Sequence, residues 1–119
     1  MKYMLLIHQG DTPTPRDPEA WGRLSEDEQK AVYSAYAEVT QTPGVTSGVQ
    51  MDDPANATTV RVEGGKTLTT DGPFVAVKEA LGGYLFYEAE NLDAAIALAS
   101  RIPAARLGGA VEIRPLKEG

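Results

Sequence analysis

The chain has 119 residues, a length that favours one domain and allows a self-sufficient hydrophobic core. With 42% hydrophobic and 24% charged residues it has the balance of a globular protein, which excludes a disordered or fibrous class. A net charge of −6 with 11 scattered Lys and Arg residues argues against nucleic acid or an anionic membrane as a direct partner. Zero cysteines and one histidine exclude disulfides, thiolate catalysis and Cys-ligated or multi-histidine metal sites, so neither metal nor cofactor is expected.

The first residues, MKYMLLIH, carry an apolar run too short for a signal or a membrane span, and the cytoplasm is the expected location. Residues 2 to 8 read as a strand apolar on both faces, which belongs at the centre of a sheet. Residues 9 to 24 hold Pro13, Pro15 and Pro18 and read as a long loop in which Trp21 is a packing anchor. Ser25-Glu26-Asp27-Glu28 fits a capping box that opens a helix, with Val32, Ala35, Tyr36 and Val39 on its buried face. Pro43-Gly44 stops that helix, which should end near Gln41.

Residues 45 to 51 alternate like an edge strand covered on one side. The threonine-rich runs 58 to 63 and 66 to 70 are joined by Gly64-Gly65, the signature of a tight β-hairpin. Residues 83 to 88 are a second strand apolar on both faces. Asn91 caps a second helix over 92 to 102, with Leu92, Ala95, Ile96 and Ala99 on one stripe and Pro103 and Gly108-Gly109 as its stop. Residues 110 to 114 form a short last strand, Val111 and Ile113 facing away from Glu112 and Arg114.

This order predicts an α+β fold over residues 1 to 119, a ferredoxin-like βαββαβ core with an inserted β-hairpin. The first and third core strands of that arrangement are central, and they coincide with the two runs apolar on both faces. Two helices cover one face of the sheet, which leaves Met4 and Leu6 on the other. The hairpin or a second copy must cover them, and a homodimer packed sheet against sheet is the expected solution.

Between hairpin and third core strand lies DGPFVAVKEALGGY, residues 71 to 84. Asp71-Gly72-Pro73 has turn chemistry, Phe74 can enter an apolar slot, and Gly82-Gly83 lets the backbone approach another surface. DGPF followed by KE and LGGY, after a KYMLLI first strand and before RIPAAR and a short strand ending in Arg-Pro, resembles the YCII-related proteins of the DGPF subgroup. The resemblance runs over nearly the whole chain and implies a small bacterial ferredoxin-like domain that forms a dimeric α+β barrel. It also implies a protein family in which one branch is linked to dehalogenation of a chlorinated muconate-type substrate, a His-Asp pair is a proposed site, and genes often neighbour extracytoplasmic-function sigma factors.

Two departures matter. Ala76 stands where the subgroup usually has an acid, and His8 stands where its first strand more often ends in Tyr, so the His-Asp pair does not transfer to His8 by position.

Each candidate has a chemical and a structural reading. His8 suits a general base, or a hydrogen-bonded strand end. Asp71 suits a base or ligand-binding carboxylate, or a turn residue. Glu79 can move a proton and Lys78 hold an anionic substrate, or the two form a solvated pair. Phe74 and Tyr84 can line a substrate pocket, though an aromatic stripe on a central strand is more often core or interface. Arg101, Arg106 and Arg114 read as scattered surface charge, and no phosphate loop, nucleotide fingerprint or nucleophile elbow is present.

The function expected from these residues is cofactor-independent proton transfer or elimination on a small organic acid, with His8, Asp71 and Glu79 as catalytic groups and Lys78, Phe74 and Tyr84 against the substrate. The alternative is a non-catalytic small-molecule-binding or regulatory module acting with a sigma factor.

Overall fold

The computed structural model describes residues 1–52, 54–72 and 81–117, with backbone only for Ser47, Val49 and Pro54. Its elements are β1 (Lys2–His8), α1 (Pro18–Gly22), α2 (Glu26–Gln41), β2 (Val45–Gln50), β3 (Thr58–Glu63), β4 (Lys66–Asp71), β5 (Leu81–Glu88), α3 (Leu92–Ala99), α4 (Pro103–Arg106) and β6 (Ala110–Pro115). A four-stranded sheet has the order β2-β5-β1-β6, all pairs antiparallel, and β3-β4 form a separate two-stranded sheet. This is the expected α+β, ferredoxin-like architecture, with the two doubly apolar strands at its centre.

The sheet's pleat divides β1 cleanly. Tyr3, Leu5 and Ile7 are buried on the helix side, and Lys2, Met4, Leu6 and His8 alternate to the open side. Opposite them Leu85 is buried and Tyr84 and Phe86 are half-buried, their rings meeting edge to face at 5.9 Å on the open side. Leu5, Val39, Leu98, Ile102 and Pro103 are the largest side chains fully withdrawn from water, so the core is the seam between the sheet, α2 and the α3–α4 corner. Burial of each such aliphatic side chain contributes about 1.5–3 kcal/mol.

The capping box forms as expected: Glu28 N–H donates to Ser25 Oγ at 3.1 Å, and Ser25 N–H donates to Glu28 Oε1 at 3.0 Å. The hairpin turn also forms, with Gly64 and Gly65 at φ 56° and 76°, a left-handed pair that side chains resist. Beyond it, Gly72 takes φ 99° and its N–H donates to the Ala57 carbonyl at 2.7 Å, tying off the hairpin. Every residue of β4 is exposed, and among the described residues the hairpin strands pack chiefly with one another, so β4 does not cover the open face.

Three local expectations differ. The Pro-rich segment is not all loop: Asp17 caps α1 by accepting from Ala20 N–H at 3.3 Å, and Pro18 occupies the first turn, where its missing N–H costs nothing. Pro103 starts α4 rather than only stopping its predecessor, for the same reason. In α3 the buried residues are Ala95, Leu98 and Ala99, whereas Leu92 and Ile96 are each 50% exposed. The helix turns its small residues to the sheet, which permits a closer approach than the Leu92–Ile96 stripe would.

Candidate ligand cavity

A cavity of about 660 Å³ opens on the helix side of the sheet, within the size range of small-molecule sites. The exit of β1 supplies Ile7 and Gln9, the following loop supplies Thr12 and Arg16, and α1 brings Trp21. Helix α2 presents Val32, Tyr33, Tyr36 and Thr40, at the three-and-four spacing of one helix face. The floor is Gly82, Gly83 and Leu85 of β5, with Gly48 and Gln50 of β2 at its edge.

The loop that walls the cavity is anchored at both ends. Thr12 N–H donates to the Gln9 carbonyl at 2.9 Å, and Asp11 N–H to the Gly108 carbonyl at 3.1 Å. Farther on, the Arg16 guanidinium donates to the Met51 carbonyl, and Met51 N–H donates to the Gly82 carbonyl at 2.9 Å. Trp21 and Tyr33 stack edge to face at 5.6 Å and 71°, fixing α1 against α2. Gln29 Nε2 adds a bond to the Trp21 carbonyl at 2.9 Å.

The polar groups within this apolar wall are few. Burial pushes the Tyr36 phenol above its ordinary value, opposed in part by the Gln9 side chain beside it, so the phenol is a neutral O–H donor at physiological pH. Gln9 Oε1 and Thr12 Oγ1 are buried without a hydrogen-bond partner among the described residues. Both atoms are closed off from solvent and do not border the open hollow, and an unpaired buried polar atom costs about 1–3 kcal/mol. Arg16, exposed at the cavity's edge, makes no ion pair among the described residues.

The glycine pair at the start of β5 now has a local reason. A Cβ on Gly82 would lie 2.8 Å from Gln9 Nε2 and 3.0 Å from Gln9 Cδ, so the bare backbone makes room for the Gln9 amide. Gly83 is buried in the cavity floor.

Of the residues picked out from sequence, the structure describes His8, Asp71 and Tyr84. His8 lies on the open face, its Nε2 3.1 Å from Glu112 Oε1 on β6, with Arg114 Nε 3.8 Å from the other carboxylate oxygen. Asp71 ends β4, exposed on the separate two-stranded hairpin and paired with Thr58. Tyr84 borders the cavity while its ring meets Phe86 on the other face. Phe74, Lys78 and Glu79, and with them Ala76, lie outside the described residues. Among the described residues no cluster of carboxylates and histidine could hold a metal, and no helix is long and apolar enough to cross a membrane.

The chain matches the family model described as the YCII-related domain over residues 1–118. It belongs to the YCII-related family. A relative in Rhizobium meliloti (strain 1021), named Uncharacterized protein R00369, is 31% identical over 122 aligned residues, covering 98% of this chain and 92% of the relative. In this YCII-related domain the cavity is built chiefly from residues that motif reading passes over. Tyr36 reads as core and Trp21 as an anchor; Gln9 and Thr12 read as loop. Their signal in the sequence is faint: an aromatic pair on one face of a capped helix, opposite a Pro-rich segment carrying the chain's one Trp.

Proposed function

We propose that this YCII-related protein binds a small organic acid in the cavity between α2 and the sheet. The observation that carries the reading is the combination of an apolar, aromatic-walled hollow of about 660 Å³ with one guanidinium at its edge. Arg16 would hold the carboxylate: it has five donors in a planar fork, and its bond to the Met51 carbonyl leaves the others for an anion. Calorimetric titration with 2-naphthoate tests this directly. Arg16→Gln should weaken binding by at least about tenfold and Arg16→Lys by less, as expected for a charge-assisted bond. Equal affinity in all three proteins would refute the assignment.

A second reading retains proton transfer. His8 and Glu112, 3.1 Å apart, have the base-and-orienter geometry of a general base, on the face where Tyr84 also lies. Asp71, Lys78, Phe74 and Glu79 of the DGPF-like segment remain its proposed companions. On this reading His8→Gln abolishes turnover; unchanged turnover rejects it. A regulatory module acting with a sigma factor would instead yield a stoichiometric protein partner in a pull-down and no turnover.

Both readings fit a homodimer. The solvent-accessible surface is 7993 Å², against roughly 6200 Å² for a folded monomer of this mass. The surplus exceeds what one partner buries in a standard interface, about 800 Å². Met4, Leu6, Tyr84 and Phe86 form an apolar patch on the open face that a second copy would cover. Native mass spectrometry of gently purified protein reads the dimer and any retained ligand together; a monomeric mass at micromolar concentration would exclude the dimer.

A further inference from the structure

We infer that the β3–β4 hairpin is an arm that docks on a second copy of this chain through the face carrying Val60, Val62, Thr67 and Thr69; this rests on the homodimer reading above. The hairpin stands apart from the rest of the fold. It leaves between β2, which ends at Gln50, and β5, which starts at Leu81, and among the described residues its strands pack chiefly with each other. The radius of gyration is 16.2 Å, against about 13.5 Å for a compact domain of this length. A two-stranded hairpin left in water is marginally stable at best, and a further strand or a packed face is what stabilises it.

The two faces of the arm differ. Val60 pairs with Thr69 and Val62 with Thr67, and opposed residues of an antiparallel pair point to the same side. That face is β-branched and free of charge down to Asp71 at its base, yet Val60 and Val62 are 59% and 66% exposed. The opposite face carries Arg61, Glu63 and Lys66 around Leu68, with Arg61 and Glu63 ion-paired. Charge gathered on one side only is the pattern of a sheet packed on the other, and the core of a protein interface is depleted of charge in the same way.

The occupant follows from what else is uncovered. Met4, Leu6, Tyr84 and Phe86 form a second apolar surface, on the open face of the main sheet. A closed two-fold pair buries the arm and the open face of both copies together, whereas a foreign protein on the arm leaves the open face exposed. The surface surplus of roughly 1800 Å² is more than twice the roughly 800 Å² that one partner gives to a standard interface, which leaves area for an arm beside the sheet contact. Charge agrees with a second copy. Arg61 and Lys66 balance Glu63 and Asp71, so the arm is neutral, the net −6 lies elsewhere in the chain, and docking through the arm adds no repulsion between two acidic copies.

Sedimentation equilibrium of the full chain tests this, with Val60→Ser/Val62→Ser compared against Arg61→Gln/Lys66→Gln on the other face of the arm and Leu92→Ser/Ile96→Ser on α3. All six side chains are exposed in the single copy, and circular dichroism checks that each variant folds. The valine pair should weaken dimerisation by about a hundredfold or more, because the two-fold axis repeats the loss in both copies, and each control pair by less than about threefold. Hydrogen exchange of the unaltered chain, above and below the dissociation constant of the dimer, needs no substitution: the hairpin amides should slow by about tenfold or more in the dimer. Unchanged dimerisation in the valine pair assigns the arm to a different protein and overturns the proposal, leaving the homodimer standing. A loss as large in either control pair, or hairpin exchange that ignores dimerisation, does the same. A parent chain that is monomeric at micromolar concentration overturns both.

Discussion

Gly82→Ala probes the link between backbone and cavity with a single methyl group. Gly82 does not adopt a positive φ, so alanine meets no backbone strain there. Fewer unfolded conformations would by themselves stabilise the variant by about 0.4–1 kcal/mol. The new Cβ, however, would lie 2.8 Å from Gln9 Nε2 and closer still to Gln9 Cγ, so the side chain must leave its place. An off-rotamer side chain costs about 0.5–1.5 kcal/mol, and losing its interaction with Tyr36 about 1 kcal/mol more. The net expectation is a loss of about 1 kcal/mol, which for a domain of this size lowers the melting temperature by roughly 3–6 °C. Urea denaturation with an unchanged slope measures it. The Tyr36 phenol should titrate higher still, because the group that opposes the effect of burial has moved. A midpoint equal to or above that of the parent, with ligand affinity intact, would show that Gln9 does not depend on the space left by Gly82.

Three further outcomes follow from the fold. Ser25→Ala removes the helix cap and should cost about 1 kcal/mol by urea denaturation. Glu28 has its carboxyl held below the ordinary value by the Ser25 backbone and then side-chain hydrogen bonds, so its contribution is complete above the unfolded pKa and is lost as pH falls through the folded one. Glu28→Gln should flatten stability between pH 5 and 3 relative to the parent, and an unaltered acid limb would contradict the capping box. Leu5→Ala, at a fully buried position in a central strand, should cost about 2–5 kcal/mol, whereas an exposed-residue cost below about 1 kcal/mol would displace Leu5 from the core.

Much of the fold was legible because several local signals are unambiguous. β1 and β5 carry apolar residues on both faces, which only a central strand tolerates, and Gly64-Gly65 between threonine-rich runs permits a left-handed turn pair. α3 was legible as a helix but not in its orientation. LDAAIALA is apolar almost all round, so two stripes compete and tertiary packing chose the one with Ala95, Leu98 and Ala99. Proline misled at 18 and 103 because it breaks a helix interior yet suits a first turn. The cavity was nearly illegible: Gln9, Arg16, Trp21, Tyr36 and Gly82 come together only through the β1–β5 register and the loop anchored at Met51 and Gly108. The sequence marks chemistry-bearing residues at His8, Asp71 and Glu79, but residue type alone does not report where the fold places them.

Nitrogen-15 NMR during titration with 2-naphthoate reports whether the small molecule sits on the helix side of the sheet. Trp21 is the chain's one tryptophan, so its indole N–H gives a peak identified without further assignment. Binding in the cavity moves this peak in a saturable way, together with the amides of Gln9, Tyr36 and Gly82. A stationary indole peak with shifts confined to His8, Glu112 and Phe86 would contradict it and place the site on the open face.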